Sequence, residues 1–230
     1  MVAAAPSRDH SGASSAIGPL GGADGVEVAE VELAGVPAVP AYGIDAPPAL
    51  AVMIARLGAF GPSPDIVVSG INPGPNTGRA VMHSGTVGAA LTAANFGLSG
   101  LAVSIGTGEP SHLETAARVA TDALAWLVNA PVRTVLNLNV PNLGLAEVRG
   151  VRAARLAPFG TVRAALGERV GGRLQVELRD TEHELEPDTD TALVLAGYVT
   201  VTALVGVKAA EDTDAPTAIE EALGLSPAAG

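Results

Sequence analysis

The sequence predicts an α/β fold: a three-layer, Rossmann-like arrangement around a mostly parallel sheet, with a C-terminal β extension. Three observations carry this. From Pro48 to Val140, short β-branched runs alternate with stretches of small helix formers, the order a βαβ chain requires. The first strand candidate, Pro64 to Gly70, is a short β-branched run of the kind that buried parallel strands carry. Aromatic residues make up only 3% of the 230 residues, so the core must be built from Val, Leu, Ile and Ala.

The elements follow in order. An edge strand is expected over residues 39–44 and a helix from Pro48 to Leu57. Pro64 to Gly70 is a β-branched run that stops at Ser69-Gly70 and reads as a buried parallel strand. Ile71 to Gly78 is too rich in Gly, Pro and Asn to be anything but a loop. Ser84 is a cap residue ahead of small helix formers, so Ser84 to Ala94 reads as a helix lying close on the sheet. Leu101 to Ile105 is a second strand, Leu113 to Val128 an amphipathic helix and Thr134 to Val140 a third strand. Gly150 to Leu156 and Leu174 to Leu178 read as strands of the extension, separated by the Gly-rich residues Gly167 to Gly172. Val194 to Leu204 reads as the final strand, and Thr217 to Leu223 as a short helix in a frayed tail. One domain is expected over residues 1–205, with 150–185 as an oligomerisation extension and 206–230 as a partly disordered tail.

Composition excludes several function classes. Thirteen Lys and Arg against 24 Asp and Glu give a net charge of -11, which disfavours binding a nucleic-acid duplex through its phosphates. The absence of Cys removes disulfides, thiolate metal sites and thiol nucleophiles. No apolar run reaches the roughly 18 to 20 residues of a membrane helix, and the start, Met1 to Gly12, lacks the pattern of a secretion signal. A soluble, cytoplasmic protein with no membrane partner is the expectation.

Ligands of open α/β sheets sit beyond the carboxyl ends of the strands, which directs attention to residues 69–78. Asn72 and Asn76 offer carboxamide donors and acceptors there, and Gly70, Gly74 and Gly78 let backbone approach a ligand closely. An ordinary Asn/Gly turn has the same composition. Ser84-Gly85-Thr86 opens a helix, whose free N–H groups and dipole favour an anion such as phosphate; a plain helix cap reads identically. No Walker loop, GxGxxG, nucleophile elbow or HExxH occurs. His83 stands just before the helix, where it either faces the anion or lies on the surface. His183, in the acidic run Asp180 to Asp190, invites a metal-cluster reading, although such a run beside Pro187 is ordinarily a solvated loop.

Three segments together carry a resemblance. They are Ala5 to Ser15 (APSRDHSGASS), Pro64 to Gly78 (PDIVVSGINPGPNTG) and His83 to Ala90 (HSGTVGAA). With Asn137 to Pro141, Asp188-Thr189-Asp190 and Gly197 to Thr202, they resemble the SurE family of stationary-phase survival proteins up to about residue 205. The resemblance implies a metal-dependent phosphomonoesterase acting on nucleoside 5′- and often 3′-monophosphates with Mn²⁺ or Mg²⁺. It places Ser11 and Asn72 as metal ligands, Asn72, Ser84 and Thr86 as catalytic residues, and Asn76, Gly78, Ser84, Gly85 and Thr86 around the phosphate. A homodimer or homotetramer joined through the C-terminal extension is also implied.

One departure stands out. Family members open with a strand ending in Asn-Asp-Asp-Gly, whose paired carboxylates bind the metal, and Met1 to Pro6 matches the end of the second strand instead. Asp9 lies in the Ser11 loop and is a poor substitute. Either Met1 is internal to a longer protein or the copy is truncated, and the sequence leaves both open. The expectations are accordingly a nucleotidase or, alternatively, a catalytically silent nucleotide- or phosphate-binding chain. The sequence as given is further expected to be inactive and weakly stable, because a first strand is normally central to such a sheet.

Overall fold

A computed structural model describes residues 1–18, 20, 25–160, 162–180, 185–209 and 214–223. The chain runs β1 (Ala3–Pro6), β2 (Val28–Val31), β3 (Ala41–Ile44), α1 (Pro48–Arg56), β4 (Ile66–Pro73), α2 (Gly85–Asn95), β5 (Ser99–Ile105) and α3 (Leu113–Leu127). It continues with β6 (Val135–Val140), β7 (Val151–Ala153), β8 (Val162–Val170), β9 (Arg173–Asp180), α4 (Asp190–Leu195), β10 (Val199–Leu204) and α5 (Ala215–Leu223). A 3-10 helix over Gly78–His83 leads into α2.

The strands form a five-stranded sheet of order β4-β5-β6-β10-β7, a three-stranded sheet of order β1-β3-β2 and the β8-β9 hairpin. In the large sheet only β10 runs against its neighbour β6; the other pairings are parallel. The α/β, Rossmann-like expectation therefore holds. The two faces of β5 and β6 divide cleanly by the period of two. Leu101, Val103, Ile105, Leu136, Leu138 and Val140 form the core under α3. Ala102 and Val135 meet Val87 and Ala90 of α2 on the other face. Small residues set how closely α2 lies: a Cβ on Gly100 would sit 2.4 Å from the Ala90 carbonyl oxygen. Toward the carboxyl ends of the strands, beyond the start of α2, that same face turns polar with Ser104, Asn137 and Asn139, all fully buried.

Several expectations are corrected. Residues 41–44 form the middle strand of the small sheet rather than an edge, because β2 adds to it; β2 had no counterpart in the sequence reading. The strand expected to end at Gly70 continues to Pro73, since pairing with β5 resumes at Asn72 opposite Ser104 after an irregularity. Gly70 permits this: its φ is +128°, and a Cβ would meet the Val103 carbonyl oxygen at 2.3 Å. The strand expected over 150–156 shrinks to Val151–Ala153. Val162–Val170 is a strand that the Gly-rich reading had missed, and it pairs with β9 across the Gly171-Gly172 turn. Val194 and Leu195 belong to α4, which ends where Gly197 takes φ +85°, a common helix stop. His183 and, in the tail, residues 210–213 and 224–230 lie outside the described residues.

Candidate functional site

Asn76 is held by side chains from two strands. Its N–H donates to Asn139 Oδ1 at 2.7 Å, and its carbonyl accepts from Asn139 Nδ2 at 3.0 Å and Asn137 Nδ2 at 2.8 Å. Asn139 thus treats Asn76 as a neighbouring strand would, satisfying donor and acceptor together. The Asn76 carboxamide in turn donates to Ser104 Oγ at 2.7 Å. Asn137 and Asn139 lie two apart in an otherwise apolar strand and so share a face. A buried carboxamide there needs partners; the loop above meets both ends of Asn139 and the Nδ2 of Asn137, while Asn137 Oδ1 has no partner among the described residues.

Asn72 stands at the carboxyl end of β4. Its Nδ2 donates to the Gly74 carbonyl at 2.7 Å, and its Oδ1 lies 3.5 Å from the Thr86 hydroxyl. That long contact makes the predicted Asn72 and Thr86 neighbours. Ser84 is the N-cap of α2, its Oγ accepting from the Val87 N–H at 3.2 Å. The Gly85 and Thr86 N–H groups, in the same first turn, have no intrahelical acceptor.

The Ser11 loop is laid against the start of the same helix. The Ser14 N–H donates to the His83 carbonyl at 3.2 Å, the Ser14 hydroxyl donates to the Met82 carbonyl, and Ser15 Oγ donates to the Gly88 carbonyl at 3.3 Å. Gly88 is required for this contact, because a Cβ there would meet the Ser14 carbonyl oxygen at 2.2 Å. Ser11 itself is exposed, with both its N–H and hydroxyl donating to Asp9 Oδ1 at 2.8 and 2.7 Å. Those bonds hold the Asp9 carboxyl below its usual range. His83 is exposed and enters through its carbonyl.

A third support lies on the far side of the loop. Asp190, fully buried, accepts the Gly78 N–H at 3.1 and 2.9 Å on its two oxygens, and the Ala157 and Thr191 N–H groups at 3.0 and 2.8 Å. Desolvation pushes its carboxyl above the ordinary value, against the pull of those bonds. Nearby on the surface, Arg155 pairs with Asp188 and Glu186, which holds Asp188 below its usual range.

Ser11 and Asn72 offer a divalent cation a hydroxyl and an amide oxygen, both neutral. Asp9 is the carboxylate beside Ser11, and its Oδ1 is already engaged by Ser11. Among the described residues no three His, Asp or Glu side chains come together as a metal cluster. Hard divalent ions bind chiefly through carboxylate-type oxygens, so this donor set alone does not fit Mn²⁺ or Mg²⁺ as a complete site. The predicted phosphate residues fare better: Asn72, Asn76, Gly78, Ser84, Gly85 and Thr86 lie along one run of chain at the carboxyl end of the sheet. An apolar groove of about 530 Å³ on the α3 face, lined by Trp126, Leu138, Val148 and Val151 among others, carries no such polar set.

A sequence profile described as Survival protein SurE matches residues 1–161. The chain belongs to the SurE family. It is 43% identical over 148 residues to the 5′/3′-nucleotidase SurE of Proteus mirabilis, a match covering 62% of this chain and 58% of the relative. The 5′/3′-nucleotidase SurE of Salmonella newport is equally similar, at 43% over 148 residues with the same coverage. The chain thus spans a little over half the length of the curated relatives it matches. The crystal structure of the SurE protein from Aquifex aeolicus superposes with a TM-score of 0.72 at 26% identity, covering 96% of this chain and 88% of that one.

The support residues Ser104, Asn137, Asn139 and Asp190 had no assigned role in the sequence reading. For Asn137 and Asn139 a signal was present in the polar alternation of Val135–Val140. Asp190 stood in the Asp188-Thr189-Asp190 segment of the resemblance, but nothing in the sequence linked it to Gly78, 112 residues away.

Proposed function

We propose that the chain is a nucleotidase-type phosphomonoesterase that takes nucleoside 5′- and 3′-monophosphates, with the phosphate seated at the start of α2. The observation that carries this reading is the arrangement around Thr86. First-turn N–H groups of α2 without an intrahelical acceptor stand beside the Asn72 carboxamide, with the Asn76 loop fixed from beneath. Such a set favours a tetrahedral dianion through backbone donors and the helix dipole. The names of the relatives, 5′/3′-nucleotidases, agree with it.

In this reading, the Gly85 and Thr86 N–H groups and the hydroxyls of Ser84 and Thr86 hold the phosphoryl oxygens. Asn72 and Asn76 orient them, and the fixed geometry spares the transition state the cost of reorganising its donors. The reading includes a divalent ion, Mn²⁺ or Mg²⁺, as cofactor. Ser11 and Asn72 would be its neutral contacts, and no step is routed through it because the described donors do not complete its site.

The test is phosphate release from nucleoside 5′- and 3′-monophosphates with and without Mn²⁺, and again after EDTA. Metal-stimulated release that falls sharply in Asn72→Ala supports the reading. Binding of the monophosphate without release leaves the silent binding alternative, which the lack of a described carboxylate cluster favours. Neither binding nor release refutes both.

The β8-β9 hairpin belongs to the same proposal as a subunit contact. Among the described residues it pairs only with itself and exposes Leu166, Leu174 and Val176, and an isolated hairpin is marginal in water. A homodimer or homotetramer built on it would cover those side chains. Light scattering should give a multiple of the chain mass; a monomer at micromolar concentration with the fold intact would contradict it. No helix among the described residues is long and apolar enough to cross a membrane, and the cytoplasm is the proposed location.

A further inference from the structure

We propose that Asp190 is a positioning residue for the phosphate site, fixing the backbone at Gly78 between the Asn76 loop and the first turn of α2. This rests on the reading of the site given above and adds to it a residue that touches no substrate. Asp190 is 0% exposed, and among the described residues no cation pairs with it. Its charge is met by backbone N–H groups from three places: Gly78 in the site loop, Ala157 after β7, and Thr191 in its own helix.

Burying a carboxylate without a counter-ion is costly, and an apolar residue of the same size would pack α4 without that cost. What an apolar residue could not do is accept the Gly78 N–H. Both Asp190 oxygens receive that group. Gly78 adopts φ +64°, and its Cα is pressed so closely on the next segment that a Cβ would lie 2.4 Å from the Phe159 carbonyl carbon. The neighbouring Arg79 N–H is already given to the Ala157 carbonyl at 3.0 Å. From Gly78 the 3-10 helix leads directly to Ser84. Displacement at Gly78 is therefore carried into the cap and the two N–H groups after it, while Asn76 stays tied to Asn137 and Asn139. The carboxylate is also braced from outside: Arg155 pairs with Asp188 and Glu186, and the Asp190 N–H donates to the Arg155 carbonyl at 2.9 Å.

The experiment compares the full chain with Asp190→Asn by amide exchange and by ¹H–¹⁵N titration with inorganic phosphate, alongside Thr191→Val. The Thr191 substitution removes the hydroxyl bond to the Phe159 carbonyl and the long 3.5 Å contact to Asp190 Oδ1, and leaves the carboxylate with its backbone donors in place. In Asp190→Asn, Gly78 exchange should accelerate at least about tenfold, β5 and β6 amides should hold, and the phosphate dissociation constant should rise about tenfold, as loss of one buried charge-assisted bond allows. Thr191→Val should lower Tm and keep phosphate affinity. Unchanged Gly78 exchange, or unchanged phosphate affinity in Asp190→Asn, overturns the proposal. A parent chain whose Gly85 and Thr86 signals ignore phosphate refutes the functional reading, and this inference falls with it. Should Asp190→Asn fail to fold, the parent carries the test: phosphate should slow exchange at Gly78 together with Gly85 and Thr86, and a Gly78 that does not respond would show an anchor serving α4 alone.

Discussion

Replacing Asn139 by Asp changes one amino group into an oxygen and alters nothing in size, which makes it a sharp probe of the support beneath Asn76. In the parent, Oδ1 accepts the Asn76 N–H at 2.7 Å and Nδ2 donates to the Asn76 carbonyl at 3.0 Å. In Asn139→Asp the first bond survives, and the second sets one acceptor against another at a fully buried position. Protonation restores the donor, so the introduced carboxyl is pushed above its ordinary titration near pH 4. The folded state then holds a proton that the unfolded chain has released, and stability falls as pH rises through that window. Each pH unit over which the carboxyl stays neutral costs about 1.4 kcal/mol, so neutrality up to pH 7 costs about 4 kcal/mol. At about 2–4 °C per kcal/mol for a chain of this size, Tm at neutral pH should lie about 8–16 °C below the parent. Near pH 4 the two should melt within about 2 °C of each other. The assay is thermal unfolding followed by circular dichroism at about pH 4.5 and about pH 7.5 on both chains. A difference in Tm that is the same at both pH values would refute the reasoning, because it would mean that the Asn76 carbonyl does not depend on this donor.

Four further outcomes follow from the same geometry. Ser84→Ala removes the cap bond to the Val87 N–H and should cost about 1 kcal/mol in an unfolding titration, with phosphate affinity reduced as well. Gly88→Ala drives a Cβ into the Ser14 backbone, so it should destabilise the fold by about 1–3 kcal/mol and speed amide exchange in residues 10–15. Gly206→Ala, with nothing within 4 Å of the new Cβ, should stay within about 0.5 kcal/mol of the parent. Asn72→Ala should lower metal-stimulated phosphate release at least about tenfold while leaving Tm within a few degrees, read by parallel kinetics and melting.

Much of the site was legible because its residues are local. Asn72, Asn76, Gly78, Ser84, Gly85 and Thr86 occupy one short run between a strand and a helix, and the rule that ligands meet the carboxyl ends of parallel strands points there without a structure. The helix from Ser84 was visible through its cap residue, and the strand at Leu101–Ile105 through a run that is apolar apart from Ser104. The supports were not legible, since they depend on which distant segments meet. Nothing near Asp190 in sequence announces that its carboxylate will receive the Gly78 N–H. The continuation of β4 through Asn72 and Pro73 was hidden for a similar reason: Gly70 and Pro73 argue against a strand locally, and pairing with Ser104 and Ile105 overrides them. Val194 and Leu195 are helical rather than part of the final strand; they join smoothly to the apolar run of β10, while the helix stop at Gly197 rests on a positive φ that composition alone does not display.

The central claim is that the phosphate of a nucleoside monophosphate is received at the start of α2. It is tested most directly by a ¹H–¹⁵N titration with a nucleoside 5′-monophosphate, the parent nucleoside and inorganic phosphate in turn. The account predicts that the Gly78, Gly85 and Thr86 signals move together with the monophosphate and with phosphate, and stay put with the nucleoside. Shifts that instead centre on the apolar groove around Trp126 and Val151, or that the nucleoside alone reproduces, would contradict it.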